Sequence, residues 1–164
     1  MIISQIVAVS ENHVIGRNNR MPWKVPADAS YFHRVTLGHV VLTGRKNYQA
    51  NGRALPGRLN MVISRDPGFS PADALRVSSP AEGIRMAEDL GEEELFIIGG
   101  GEIYALTLPE TDRIYLTIIH TVLAGDVYYP PLEEGKWQLV SKINREKDKE
   151  NPFDQTYLIF ERAK

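Results

Sequence analysis

Apolar residues in this chain fall into short runs separated by turn residues, and the spacing within each run predicts the element it forms. Residues 2–9 (IISQIVAV) are apolar and rich in β-branched side chains, the pattern of a strand buried on both faces. The polar stretch 10–24 contains Gly16 and is long enough for a functional lid. Pro26 opens a helix that runs to about Leu37 and stops at Gly38, because proline at a first helical position gives up only an N–H that would be unpaired there. Residues 39–43 read as a second apolar strand. Gly44 turns it into a short helix from Arg45, which Asn51-Gly52 and Leu55-Pro56-Gly57 break. Residues 59–64 (LNMVIS) form a third strand, closed by Asp66-Pro67-Gly68, and a short strand follows near 75–78.

The second half repeats the alternation. Ser79, Pro80 and Glu82 make a capping box, so a helix starts there and runs to about Leu90. Gly83 costs that helix about 1 kcal/mol against alanine. Residues 95–98 are another buried strand, which Gly99-Gly100-Gly101 hands to a helix at about 102–108. A strand over 113–120 precedes an antiparallel pair, 137–144 and 156–161. Strands alternating with helices predict an α/β single domain spanning 1–164: a central, mostly parallel sheet, helices on both faces and an antiparallel C-terminal edge.

Composition narrows the function. A chain of 164 residues suits one domain with a real core, and the absence of cysteine excludes disulfides, thiolate nucleophiles and cysteine metal sites. No basic leader region precedes the first strand, and no apolar run approaches the ~18–20 residues of a membrane span. A cytoplasmic, monomeric protein is expected. Net charge is only −2, but its distribution is uneven. Between Ala29 and Arg65 there is no Asp or Glu, while Arg34, Arg45, Lys46, Arg53, Arg58 and Arg65 all fall inside. Such a segment points to an anionic small molecule, and without a long basic stripe or interleaved aromatics it does not suggest nucleic acid.

Within this frame several groups carry chemistry. Asp28 lies in the first turn of the Pro26 helix, one turn before Phe32, and side chains at that spacing share a face. If Phe32 looks inward, Asp28 goes with it, and a carboxylate in an apolar cleft favours its neutral form. The competing reading is a solvated residue that helps start the helix. Gly44, Arg45 and Lys46 sit at one strand end, Ser64 and Arg65 at another. Side by side they would surround a phosphate; from charge alone a basic surface loop is an equal reading. The run Ile97-Ile98-Gly99-Gly100-Gly101-Glu102-Ile103-Tyr104 is a second strand–glycine–helix junction that lets a ligand approach backbone, although it lacks the GxGxxG fingerprint. Arg58 has a forked guanidinium suited to a carboxylate. The four histidines show no metal-ligand spacing and there is no GxSxG motif, so metal-hydrolase and acyl-transfer readings are poor.

Trp23, Pro26-Ala27-Asp28, Phe32 and Thr36 together closely resemble the bacterial type of dihydrofolate reductase, and the resemblance extends over nearly the whole chain. It implies reduction of 7,8-dihydrofolate to tetrahydrofolate with NADPH as cofactor and dihydrofolate as the small-molecule partner. Asp28 would anchor the pterin and promote its protonation, Trp23 would hold a water, and Met21 and its loop would close over the site. Ile6, Val7, Phe32, Leu55, Arg58 and Thr117 would contact substrate, with Arg58 on the folate α-carboxylate and Thr117 hydrogen-bonded to Asp28. The cofactor would lie against Ala8, Ile15, Gly16, Gly44, Arg45, Lys46, Asn47, Ser64 and Arg65. It would continue over Ile98, Gly100, Gly101, Glu102, Ile103 and Tyr104, with a cis Gly99–Gly100 peptide. Gly125-Asp126 with Tyr129-Pro130 resembles the loop that braces the lid. Asn47, Asn51 and Ala29 depart from the pattern, which commonly has a threonine, an apolar residue and a bulkier residue there. Two other readings remain at this point: another pteridine or riboflavin-pathway reductase on the same fold, and a non-catalytic nucleotide-binding module.

Overall fold

Alternation along the strands builds a sheet with two apolar faces. The computed structural model describes residues 1–18 and 20–164; Asn19, in the polar loop, lies outside the described residues. In chain order the elements are β1 (Ile2–Ser10), β2 (Val14–Gly16), α1 (Pro26–Thr36), β3 (Val40–Gly44), α2 (Arg45–Asn51), β4 (Leu59–Ile63), β5 (Leu75–Val77) and α3 (Pro80–Asp89). There follow β6 (Glu94–Ile97), α4 (Gly101–Thr107), a 3-10 turn (Leu108–Glu110), β7 (Arg113–Ile119), β8 (Val127–Tyr128), β9 (Trp137–Arg145) and β10 (Gln155–Arg162). The main sheet runs β5-β4-β3-β6-β1-β7-β10-β9, parallel from β5 to β7 and antiparallel through β10 and β9.

Neighbouring residues on each central strand face opposite layers. Ile6, Val41, Phe96 and Tyr115 join one cluster with Tyr31, Phe32 and Val35 of α1. Val7, Leu42, Leu95, Ile97, Ile114 and Leu116 join the other, with Ala87 of α3 and Ile103 and Tyr104 of α4. Helices therefore cover both faces, as the hydrophobic pattern predicts. The one large polar side chain in the middle of β1, Gln5, is fully paired. Its amide donates to Tyr104 O and Thr107 Oγ1 at 2.9 Å each and accepts from the Tyr129 hydroxyl at 2.6 Å.

Helix starts are held differently from one another. Ser79 caps α3 by accepting from Glu82 N at 3.1 Å, but the Glu82 carboxylate reaches back to Ser78 N, at 2.7 Å, one residue beyond a standard box. Gly83 is explained by packing, since a Cβ there would stand 2.8 Å from Leu42 Cδ1. α1 has no capping side chain of its own. Asn151 Oδ1, from the β9–β10 connection, accepts from Ala27 N at 2.8 Å and takes that role.

Two short strands fall where the pattern shows only loop. β2 and β8 pair antiparallel, so the start of the polar 10–24 segment is tied to the connection after β7. Among the described residues no helix is long and apolar enough to cross a membrane, and no cluster of His, Asp and Glu could hold a metal.

Candidate active site

The cleft opens at the carboxyl ends of β1, β3 and β6, beside the point where the strand order reverses, the usual ligand position in sheets of this kind. Its volume is about 360 Å³. Ile6, Val7 and Ala8 form the floor, α1 contributes Asp28, Ala29, Tyr31 and Phe32, and Leu55, Ile98, Thr117 and the exposed Met21 complete the walls. Asp28 is 7% exposed. The shared helix face of Asp28 and Phe32 turns inward, and the solvated alternative for Asp28 falls. Burial pushes its carboxyl up to about 6, against the opposing pull of the Thr117 hydroxyl. Thr117 reaches that position because β7 pairs with β1 in the register Ala8 to Thr117. Trp23 packs among Ala8, Ala27 and Val25, and its indole N–H is buried with no acceptor among the described residues.

Opposite α1, two glycine junctions interlock. Gly99 O accepts from Gly44 N at 2.9 Å and from Thr43 Oγ1 at 3.1 Å, so the ends of β3 and β6 are fastened together. The Gly99–Gly100 peptide is cis, and a Cβ built on Gly100 would meet nothing within 4 Å, which leaves its backbone open to a ligand. Gly101 is closed by contrast, because a Cβ there would lie 2.6 Å from Val127 Cγ1. Ile103 and Tyr104 point into the core, where the Tyr104 hydroxyl donates to Ile6 O at 2.7 Å; Tyr104 also borders the cleft, and Glu102 is exposed. Both N–H groups of Asn47 are engaged, with Thr43 Oγ1 at 2.9 Å and Ile98 O at 3.4 Å, so its carbonyl oxygen is the free end.

The anion end lies along the same edge. β3 and β4 are parallel with Gly44 opposite Ile63, which sets Arg45 and Lys46 beside Ser64 and Arg65. Arg45 pairs with Asp66 at 3.3 Å and lies over the Phe69 ring, 4.3 Å from its centroid. Arg76 on β5 donates from Nε to Ser64 O at 3.1 Å and brings a further cation that sequence reasoning missed. Open glycine backbone, adjacent strand ends and this cation group fit a phosphorylated dinucleotide. Ile15, on β2, sits against the glycine turn, its Cδ1 3.8 Å from a Cβ built on Gly101, while Gly16 packs on Val127, whose Cβ lies 3.3 Å from a Cβ built there.

Arg58 stands at the other end, outside the cleft lining, where Pro56 O, Thr36 Oγ1 and His33 Nδ1 hold its guanidinium. Thr43, Tyr48 and Asn60 also line the cleft and, like Tyr31, were not singled out from sequence; Arg53, noted there only as part of the basic segment, lines it too. Alternation along β3 and β4 was the available signal for Thr43 and Asn60. The 10–24 loop is tied to the loop after β7: Asn18 N donates to Asp126 Oδ2 at 3.1 Å and Asp126 N to Gly16 O at 3.0 Å.

Comparison with known proteins follows the same lines. Residues 2–162 match the family model described as Dihydrofolate reductase. The chain is 38% identical over 161 residues to dihydrofolate reductase of Bacillus subtilis, covering 98% of this chain and 95% of that one. It is 39% identical over 162 residues to the Staphylococcus haemolyticus enzyme of that name, covering 99% and 96%. Among solved structures it is similar to dihydrofolate reductase from Enterococcus faecalis complexed with NADP(H) and RAB-propyl, with a TM-score of 0.94, 27% identity and coverage of 99% and 97%.

Proposed function

Because the chain belongs to the dihydrofolate reductase family, we propose that Asp28, Trp23 and Met21 are the residues through which it reduces 7,8-dihydrofolate to tetrahydrofolate with NADPH. The observation that carries the assignment is the buried Asp28 carboxyl, raised to about 6 and facing a cleft of about 360 Å³. NADPH supplies the hydride when bound, and the protein supplies orientation, electrostatics and the proton.

Asp28 accepts from the pterin amino and ring N–H groups, which fixes the ring over Ile6 and Val7 and against Phe32. Its pKa keeps a usable neutral fraction near neutrality, and that form favours protonation of the ring nitrogen beside the hydride acceptor. The unpaired Trp23 indole N–H holds the water through which this proton passes. Met21, 58% exposed on the rim, closes the mouth of the cleft and keeps bulk solvent out. Arg45, Lys46, Ser64 and Arg65 would hold the phosphate that distinguishes NADPH from NADH, and the open Gly100 backbone would receive the nicotinamide half. Arg58, with Leu55 beside it, holds the carboxylated end of the substrate.

The direct test is loss of NADPH absorbance on adding dihydrofolate, in the wild type and in Asp28→Asn. Full turnover by Asp28→Asn at neutral pH would remove Asp28 from proton delivery.

A further inference from the structure

The Arg58 guanidinium stands outside the residues that line the cleft, and each of its three nitrogens is already engaged. Its Nε and Nη2 donate to Pro56 O at 2.9 and 2.7 Å, Nη1 donates to Thr36 Oγ1 at 3.1 Å, and Nη2 also lies 3.2 Å from Nδ1 of His33. A guanidinium is a donor only, so Nδ1 has to accept. The contact therefore requires a neutral imidazole carrying its proton on Nε2. A protonated His33 has no lone pair to offer and sets two cations against each other. Nothing nearby on the same stretch offsets them. α1 brings Arg34, the α2–β4 connection brings Arg53 and Arg58, and residues 29–65 contain no Asp or Glu. Among the described residues none of these three arginines enters an ion pair.

We propose that His33 positions Arg58 and sets the enzyme's preference for carboxylated substrate. Neutral His33 takes the one Nη2 N–H that Pro56 O leaves for a two-pronged grip on a carboxylate; protonated His33 releases that N–H and adds a second positive charge beside the carboxylate tail. The inference rests on the assignment of Arg58 to the substrate's carboxylate. Its sign follows from linkage: a bound carboxylate favours the protonated imidazole, so binding takes up a proton and tightens as pH falls.

The test uses enzyme loaded with NADP+, which does not turn over. Kd is measured by fluorescence for dihydrofolate and for 6,7-dimethyl-7,8-dihydropterin, which lacks the tail, between about pH 5.5 and 8.5, a range over which carboxylates of pKa about 4 stay ionised. The ratio of the two constants cancels titration at Asp28, which both ligands share. The advantage of dihydrofolate should grow about fivefold from the top of this range to the bottom. In His33→Gln, whose amide oxygen accepts at every pH, the ratio should stay flat at its high-pH size. In His33→Lys it should stay flat at its low-pH size. A flat ratio in the wild type, or a slope that survives in His33→Gln, overturns the proposal. Arg58→Gln should remove the tail's advantage at all pH values; if the advantage persists there, the Arg58 assignment itself is wrong.

Discussion

Asp28 is harder to ionise in the folded protein than in the unfolded chain, since burial moves its carboxyl from 3.8 to about 6. Ionisation therefore favours unfolding. The penalty is absent below the unfolded value, grows through the interval and is complete above about 6, where it amounts to at most roughly 3 kcal/mol. Asp28→Asn should accordingly raise the thermal midpoint at pH 7 and leave it unchanged near pH 4, while lowering kcat by about 10²–10⁴-fold. Calorimetry beside steady-state assays separates these effects. In the wild type, the rate of the chemical step should fall as pH rises through about 6, as the proton on Asp28 is lost, which a stopped-flow pH series reads. Asp28 was legible in sequence because its spacing to Phe32 sets a helix face. The partner that caps its helix was not: Asn151 is 124 positions from Ala27, and only the folded β9–β10 hairpin brings it there. The hold of His33 on Arg58 was hidden likewise, because the two share no element.

Elements set off as apolar runs between turn signals were readable, down to the three-residue β5, and the pair that lies inside polar connections was not. The strands from β1 to β10 that build the main sheet stand out by their apolar runs, and the adjacency of β3 and β4 brings Arg45 to Arg65 as the sequence suggested it could. Exchanging Arg45 and Arg65 together for glutamine should erode the preference for NADPH over NADH by at least about tenfold in kcat/KM, chiefly through weaker NADPH. An unchanged ratio would free both residues of the phosphate. β2 and β8 have three and two residues, and unlike the equally short β5 neither is set apart from its polar connection as a separate run. Their pairing still decides where the lid sits. A Cβ on Gly125 would stand 2.2 Å from Val14 Cγ1 and 2.7 Å from Gly16 O, so Gly125→Ala has to push β2 away. Overpacking of this kind costs about 1–3 kcal/mol. The variant should lose stability in denaturant melts and also slow hydride transfer, while keeping the Asp28-dependent pH profile.

On the scale of the molecule, a bound dinucleotide would join elements from several parts of the sheet. The dinucleotide would touch β1, β3, β4 and the β6–α4 turn at once, and binding to the folded state alone stabilises by mass action. NADPH at a hundred times its Kd should add about 2.7 kcal/mol and raise the melting temperature by about 5–10 °C. NADH at the same concentration should do less, and equal shifts would speak against a phosphate-reading edge. The sheet order has a different bearing on how the protein is made. β1 lies between β6 and β7, with Ile2 opposite Glu94 and Ser4 opposite Arg113. A growing chain at ordinary synthesis rates thus carries the apolar strand β1 for roughly 5–20 s before either neighbour leaves the ribosome. Slow codons placed ahead of β6 should lengthen that exposure and lower the soluble yield.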